Sequence, residues 1–220
     1  MNKFVYLLAG VLVLSTSVGF TNRPANAIED SNNLAITATA LKVVNKAKTK
    51  RPPTKTATIS VEGEKTQINL KLYNQESLAF STYYPESYFI PESGGSGEGT
   101  GVRFYVNSNG TKNQDAYIHF FFPARRTSLA QIKNMINGKR GLLATNGWKA
   151  NSWSRDLPYS WAKERVVFNQ RKGNQIINGS VILGEYKGKT FYVITHIPGD
   201  YGDGFGPRAN VVFQNLQFGG

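Results

Sequence analysis

The stretch SVILGEYKGKTFYVITHIPGDYGDGFGPRANVVFQNLQF, residues 180–218, decides the fold. Its middle part, residues 190–197, is rich in β-branched and aromatic side chains, a composition typical of a strand. Successive side chains of a strand point to opposite faces, so Phe191 and Tyr192 place aromatic rings on both sides. Because both faces are mostly apolar, we expect residues 190–197 to form a central strand that is covered on both sides.

A turn and a helix surround this strand in the sequence. The Lys187-Gly188 step separates it from an apolar strand at residues 181–183. Downstream, Pro207 can begin a helix, because its missing N–H has no partner at the first helical position. The apolar residues that follow it repeat at i, i+3, i+4 and i+7, which predicts a helix with one stripe packed on the sheet: Ala209, Val212, Phe213 and Leu216.

The upstream sequence adds strands and a second helix. Ser128 and Gln131 match a capping box that opens a helix, whose apolar stripe extends to Leu143. The glycine-rich run 94–101 lacks the lysine and the following helix of a phosphate-binding loop, so we interpret it as a flexible hairpin loop. Antiparallel hairpins with separate helices predict an α+β fold, an antiparallel β-sheet with helices packed on it. The predicted strands upstream of residue 180 are residues 56–61, 66–73, 78–90 with a break at Pro85, 102–106, 116–122 and 162–169.

The N-terminal region predicts export. Residues 1–27 combine a short basic start, an apolar run and an Ala25-Asn26-Ala27 cleavage site, which is typical of a secretory signal peptide. Residues 28–55 form a basic, proline-containing arm that we interpret as a flexible linker, either a tether to anionic lipid or polymer or a plain spacer. Residues 56–220 are then one domain. The organisation predicts a bacterial extracytoplasmic compartment such as the periplasm, with no transmembrane segment after signal cleavage.

The composition restricts the possible chemistry. The chain of 220 residues carries a formal net charge of +12 and has no cysteine, so it has neither disulfides nor thiolate chemistry. Its two histidines, His119 and His196, lie in apolar strands without the spacing of a zinc site, so we expect core histidines unless the strands are neighbours and the rings meet. Asp200 and Asp203 fit a Ca²⁺ loop loosely, but we prefer to interpret the segment as a glycine-rich connection whose Asp side chains bond nearby N–H groups and cap the next helix. We predict no catalytic residue, no metal site and no cofactor.

Aromatic residues near loops are the candidate ligand-binding residues. Trp148, Trp153 and Tyr201 can stack on a sugar or an aromatic ligand if they line one cleft, whereas Trp161 suits the core. Positive charge with aromatics also occurs in nucleic-acid-binding proteins, but export separates this chain from nucleic acid, so we predict no such partner.

Three segments together resemble the PsbP/Mog1-like family, which includes the DcrB-type envelope proteins. They are the run F-S-T-Y-Y-P-E-S-Y at residues 80–88, the helix at 128–136 after a hairpin, and the hairpin K-G-K-T-F-Y-V followed by a helix that ends at Phe218. The resemblance covers residues 68–218 and is similar chiefly in the order of elements. It implies an α-β-α sandwich around an antiparallel sheet. It also implies an exported, non-enzymatic accessory protein that binds envelope or thylakoid-type membrane complexes, with no shared catalytic residue.

Three hypotheses for function follow. The first is an exported non-enzymatic accessory or binding protein that is recruited to an envelope or membrane-associated partner, or to an anionic surface, partly through its positive charge. The second is a cell-wall or polysaccharide hydrolase with the Trp-rich segment as substrate platform, which requires two acids beside Trp148, Trp153 or Tyr201. The third is a ligand carrier with a cavity between sheet and helix.

Overall fold

The structure, a computed structural model, describes residues 50–219 apart from the side chain of Asp203. The predicted signal peptide and the predicted arm up to residue 49 lie outside the described residues. Three helices and eleven strands follow one another: β1 (Thr54–Val61), β2 (Glu64–Gln75), β3 (Phe80–Pro85), β4 (Phe89–Ser96), β5 (Gly99–Ser108), β6 (Thr111–Pro123), α1 (Leu129–Asn137), α2 (Leu142–Thr145), β7 (Lys149–Ser154), β8 (Ala162–Lys172), β9 (Gln175–Tyr186), β10 (Lys189–Pro198), α3 (Gly202–Gln214) and β11 (Gln217–Phe218).

The strands form two antiparallel sheets. A small sheet has the order β1-β2-β3-β11, and a large sheet has the order β4-β5-β6-β10-β9-β8-β7. The prediction that residues 190–197 form a central strand is confirmed, because β10 has three strands on each side. Val193 pairs with Phe120 of β6 and with Ile182 of β9, which places the most apolar part of the chain at the centre of the sheet.

The predicted α+β fold is wrong, because the described chain is mostly β. Helices α1, α2 and α3 span only nine, four and thirteen residues, whereas eleven strands build two sheets. The α-β-α sandwich that the family resemblance implied is corrected in the same way, because the small sheet together with α3 covers the inner face of the large sheet. The physical reason is the second apolar set in β3, where Phe80 and Tyr84 join the core of the large sheet.

The glycine-rich run 94–101 is not a flexible loop. Most of it belongs to β4 and β5, which pair from Phe89 and Val106 to Ser96 and Gly99. A Cβ on Gly99 would lie 2.3 Å from the carbonyl oxygen of Phe122, closer than real side chains approach backbone. Glycine is therefore required here for close packing against β6, and strand pairing satisfies the backbone despite the low strand propensity.

The start of α1 matches the prediction, whereas the end of α1 and the start of α3 do not. The capping box at the start of α1 is confirmed, with the Ser128 hydroxyl accepting from the Gln131 N–H. The helix stops at Asn137, and α2 is a separate turn, because glycines interrupt the apolar stripe. Helix α3 begins at Gly202, so Pro207 lies inside it rather than at its first position. Among the described residues, no helix is long and apolar enough to cross a bilayer.

Two apolar clusters cover the faces of the large sheet. On the inner face, Phe104 and Phe120 pack with the small sheet and with Phe205 and Val212 of α3. On the outer face, α1 and α2 cover strands β8 to β10. The outer cluster contains Ile132, Ile136, Leu143, Trp148, Val166, Phe168, Val181, Leu183, Tyr192 and Ile194.

The last residues of the predicted arm contact the domain. The Arg51 guanidinium donates to Ser81 Oγ and to the Asn215 carbonyl oxygen, both at 2.9 Å. It also lies 4.4 Å from the centre of the Tyr83 ring, whose hydroxyl donates to the Pro52 carbonyl oxygen at 2.7 Å. A cation beside the carbonyls that end α3 complements the negative end of the helix dipole. The folded domain therefore includes residues from Arg51 onward.

We expect Thr82→Val to lower the free energy of unfolding by about 1–2 kcal/mol, since it removes a buried hydrogen bond and leaves an acceptor without a partner. Thr82 is fully buried, and its hydroxyl donates to the Val212 carbonyl oxygen at 2.6 Å. That carbonyl belongs to the last turn of α3, where no intrahelical donor is available. Urea titration measures the effect. Thr66→Val in exposed β2 is the control, and equal small changes in both variants would contradict the prediction.

Candidate anion-binding cleft

A cleft with a basic rim lies between the β6–α1 connection and the β9–β10 turn, with a volume of about 480 Å³. The first residues after β6 form one wall, the turn forms the other, and Leu78 and Phe122 add apolar surface. We call this the basic cleft. It is lined by Ser77, Leu78, Phe122, Pro123, Ala124, Arg125, Arg126, Thr127, Lys187, Gly188, Lys189 and Thr190.

Four cations line the basic cleft, and no acid does. Arg125, Arg126, Lys187 and Lys189 are all exposed. Within the part of the chain that the structure describes, none of the four takes part in an ion pair, whereas four other lysines do. Converging like charges repel each other, and a bound anion relieves this repulsion. The basic cleft can therefore hold an anionic group.

The lysines reach the cleft through a tight turn. Lys187 and Gly188 both have positive φ, +48° and +73°, as in the two-residue turns that join antiparallel strands. The Lys187 ammonium lies 5.3 Å from the centre of the Tyr186 ring. A Cβ on Gly188 would lie 3.6 Å from Arg126 Nη2, so the turn and the arginine pair face each other across a short distance.

A side-chain hydrogen bond connects the two walls of the cleft. The Thr190 hydroxyl at the start of β10 donates to the Thr127 carbonyl oxygen just before α1. It fixes the β6–α1 connection against the central strand, which holds the arginines and lysines at one site. The two segments are far apart in the sequence, so no local sequence pattern predicts the cleft. The only sequence signals were the Arg125-Arg126 pair and the Lys-Gly-Lys turn.

The structure does not bring the three predicted ligand-binding residues together. Trp148 is buried in the outer cluster and stacks on Phe168, with ring centres 4.2 Å apart. Trp153 lies on edge strand β7, where the Lys133 ammonium is 4.8 Å from its ring centre. Tyr201 packs against the inner cluster, and its hydroxyl accepts a 2.9 Å hydrogen bond from Asn113 Nδ2. Trp148 and Tyr201 thus lie on opposite faces of the large sheet.

The cavity beside Trp148 does not match the predicted hydrolase site. It has a volume of about 240 Å³, and Asp115 is its only lining acid. Lys172 Nζ contacts both Asp115 carboxylate oxygens, at 2.8 and 2.9 Å. Glycoside hydrolysis uses two carboxyl groups across the scissile bond, and this cavity offers one that is already paired.

The histidines lie on neighbouring strands but in different surroundings. His119 pairs with Ile194, and His196 pairs with Tyr117, so the two histidines share the outer face with an offset of two residues. The His196 ring stacks on Tyr117 at 5.0 Å, and its Nδ1 lies 2.8 Å from the Asp115 carbonyl oxygen. Within the described residues, no group of three or more acids and histidines could hold a metal ion.

The Asp200 and Asp203 loop is only partly described. Asp200 lies in a 3₁₀ turn, Gly199–Tyr201, directly before α3, and makes no side-chain cap there. The side chain of Asp203 lies outside the described part of the structure. The Ca²⁺ and capping interpretations of this loop both stay predictions.

A third cavity, with a volume of about 280 Å³, lies on the part of the outer face that α1 and α2 leave open. It is beside Gly101, Arg103 and His119. Burial, together with the nearby Arg103 guanidinium, lowers the pKa of His119 from 6.5 to about 3. A Cβ on Gly101 would lie 2.7 Å from His119 Nε2, so the imidazole occupies the space of a missing side chain. His119 is therefore a neutral packing group at neutral pH.

Comparison with known proteins finds no protein-family model that matches this chain and no curated protein with a significant sequence match. The resemblance to the PsbP/Mog1-like family therefore stays a prediction.

Proposed function

We propose that the protein is an exported binding protein, without a catalytic role, that is recruited to an anionic component of the cell envelope through the basic cleft. The observation that carries this proposal is the set of four cations around one concave site. They come from two chain segments, and no acid is among the lining residues. Export is proposed from the signal-like residues 1–27, which end in Ala25-Asn26-Ala27.

Electrostatics explains how such recruitment would work. Residues 1–27 hold Lys3 and Arg23 and no acid, so cleavage reduces the formal charge from +12 to +10. This charge attracts anionic surfaces at long range, but salt screens the general attraction beyond about 8 Å at physiological ionic strength. Specific binding then depends on the cations that converge at short range. A membrane-associated partner with an anionic group, or an anionic surface itself, fits this site.

Binding to dextran sulfate, with neutral dextran as reference, tests the proposed function. We expect the protein to bind dextran sulfate but not neutral dextran, and we expect salt to weaken this binding. Combining Arg125→Ala with Arg126→Ala should weaken binding about tenfold, because two short-range charges are lost. Isothermal titration calorimetry at low and moderate salt measures both effects.

The matched control combines Lys139→Ala with Arg140→Ala, an exposed basic pair between α1 and α2 that removes the same charge elsewhere. Equal losses of affinity in the two double variants would show that only net charge matters, and would overturn the assignment of the basic cleft as the binding site. An affinity that does not change with salt concentration would overturn electrostatic recruitment altogether.

A further inference from the structure

We propose that the anionic component is a linear polymer of phosphate groups, and that the basic cleft binds it in preference to carboxylate polymers. This inference rests on the proposed function and specifies the ligand of the same site. Three features of the cleft carry it: the kinds of polar groups that line it, its size and shape, and the backbone conformation of one of its lysines.

Donors dominate the lining of the basic cleft. Its four cations donate only, and the Ser77 hydroxyl, which accepts from Gln75 Nε2, keeps its proton to donate. The Thr127 hydroxyl already donates to the Arg125 carbonyl oxygen. The Thr127 carbonyl oxygen already accepts from Thr190. Phosphate oxygens only accept, and they match the planar donor fork of arginine in pairs. A peptide partner or an acidic polysaccharide brings N–H or hydroxyl donors, which the four cations of this lining cannot accept.

The size and shape of the cleft favour a chain of anionic groups. Its volume of about 480 Å³ lies within the range of about 300–1,000 Å³ typical of ligand sites. Neutralising four cations takes several anionic groups, so a single phosphate leaves repulsion in place. A recessed floor with half-buried Phe122 suits a polymer that enters the cleft better than the plane of a membrane.

Lys187 occupies a backbone conformation that disfavours lysine. Its φ of +48° belongs to the left-handed region, where glycine, asparagine and aspartate are favoured. The β5–β6 turn has the favoured Asn109-Gly110 pair in the same conformation, whereas the β9–β10 turn places a cation at the rim of the cleft. Strained residues that persist at a binding site commonly serve the ligand. The β1–β2 turn holds Glu62 in the same strained position, away from the cleft, and so provides an internal control.

Titration with long-chain inorganic polyphosphate and with polyglutamate of equal charge tests the phosphate preference. We expect polyphosphate to bind about tenfold more tightly, because paired phosphate contacts are stronger than single carboxylate contacts. Equal affinities would overturn the phosphate inference while leaving the proposed function intact, since both are anions. Phosphatidylglycerol vesicles form a third arm of the experiment. Tighter binding to vesicles than to polyphosphate would overturn the proposal that the ligand is a polymer.

Lys187→Asn tests the contribution of the turn. We expect polyphosphate affinity to fall about fivefold, as one short-range charge is lost, while the melting temperature without ligand rises by about 2 °C, because asparagine suits the conformation. Glu62→Asn should raise the melting temperature similarly without weakening binding, and Lys65→Gln removes an exposed charge beside that distant turn. If Lys187→Asn binds polyphosphate as tightly as Lys65→Gln does, the assignment of Lys187 is overturned.

Discussion

Gly179→Val is expected to lower the free energy of unfolding by about 3 kcal/mol, although valine is a better strand former than glycine. A Cβ on Gly179 would lie 2.3 Å from Phe168 Cζ and 2.3 Å from the Thr195 carbonyl oxygen. The ring cannot retreat easily, because Trp148 stacks on it at 4.2 Å. The carbonyl belongs to β10, whose position is fixed by strands on both sides.

Urea titration followed by tryptophan fluorescence measures this change, and Trp148 is one of the three tryptophans that contribute to the signal. Gly94→Val in β4 is the matched control, since a Cβ there meets no atom within 4 Å. We expect the control to change stability by less than about 0.5 kcal/mol, as surface substitutions usually do. Equal effects at the two glycines would contradict the packing argument.

Gly179 also illustrates what the sequence reveals of this fold. The alternation of residues 190–197 predicted a central strand because its cause is local: apolar side chains on both faces of one segment. The same holds for the capping box of Ser128 and Gln131, where both partners lie three residues apart. By contrast, the missing side chain of Gly179 leaves room for the ring of Phe168 on the neighbouring strand β8. Nothing in either segment indicates that contact.

The wrong fold class has the same origin. The segments that pair as β1, β2 and β3 were predicted as strands, but sheet membership depends on long-range pairing that periodicity does not encode. The glycines of β4 and β5 resemble a loop in sequence, because glycine lowers strand propensity, yet close approach to β6 requires glycine at positions 99 and 101. Helices α1 and α3 were recognised, but their number and length could not outweigh two sheets.

The candidate site was harder to predict than the fold. Stacking aromatics were the expected ligand-binding groups, but Trp148 is held by Phe168 and Tyr201 by Asn113. The basic cleft depends on two segments that meet because β6 pairs with β10, and the bond from Thr190 to Thr127 adds to that pairing. Each segment alone resembles an ordinary solvated charge pair, so the convergence of four cations is a property of the tertiary structure.

We expect acidification from pH 7 to pH 5 to cost about 2 kcal/mol of folding stability through His119 alone. Its pKa is about 3 in the folded chain and 6.5 when unperturbed. Between these values the unfolded chain binds a proton at this site and the folded chain does not, so lowering the pH favours unfolding. The contribution is fully present above pH 6.5 and is lost progressively as the pH falls toward 3.

The comparison with His119→Leu isolates this effect, because carboxylates and His196 titrate in both proteins. Burial also lowers the pKa of His196, so this residue adds a pH dependence of stability with the same sign. The His119→Leu substitution leaves that contribution unchanged. The difference between the two stability curves, measured by urea titration at several pH values, should grow by about 1.4 kcal/mol per pH unit below pH 6. Parallel curves would mean that His119 can be protonated in the folded state. The imidazole beside Gly101 and Arg103 would then be accessible to water, and the open outer face of β4 to β6 would be a hydrated surface rather than a packed one.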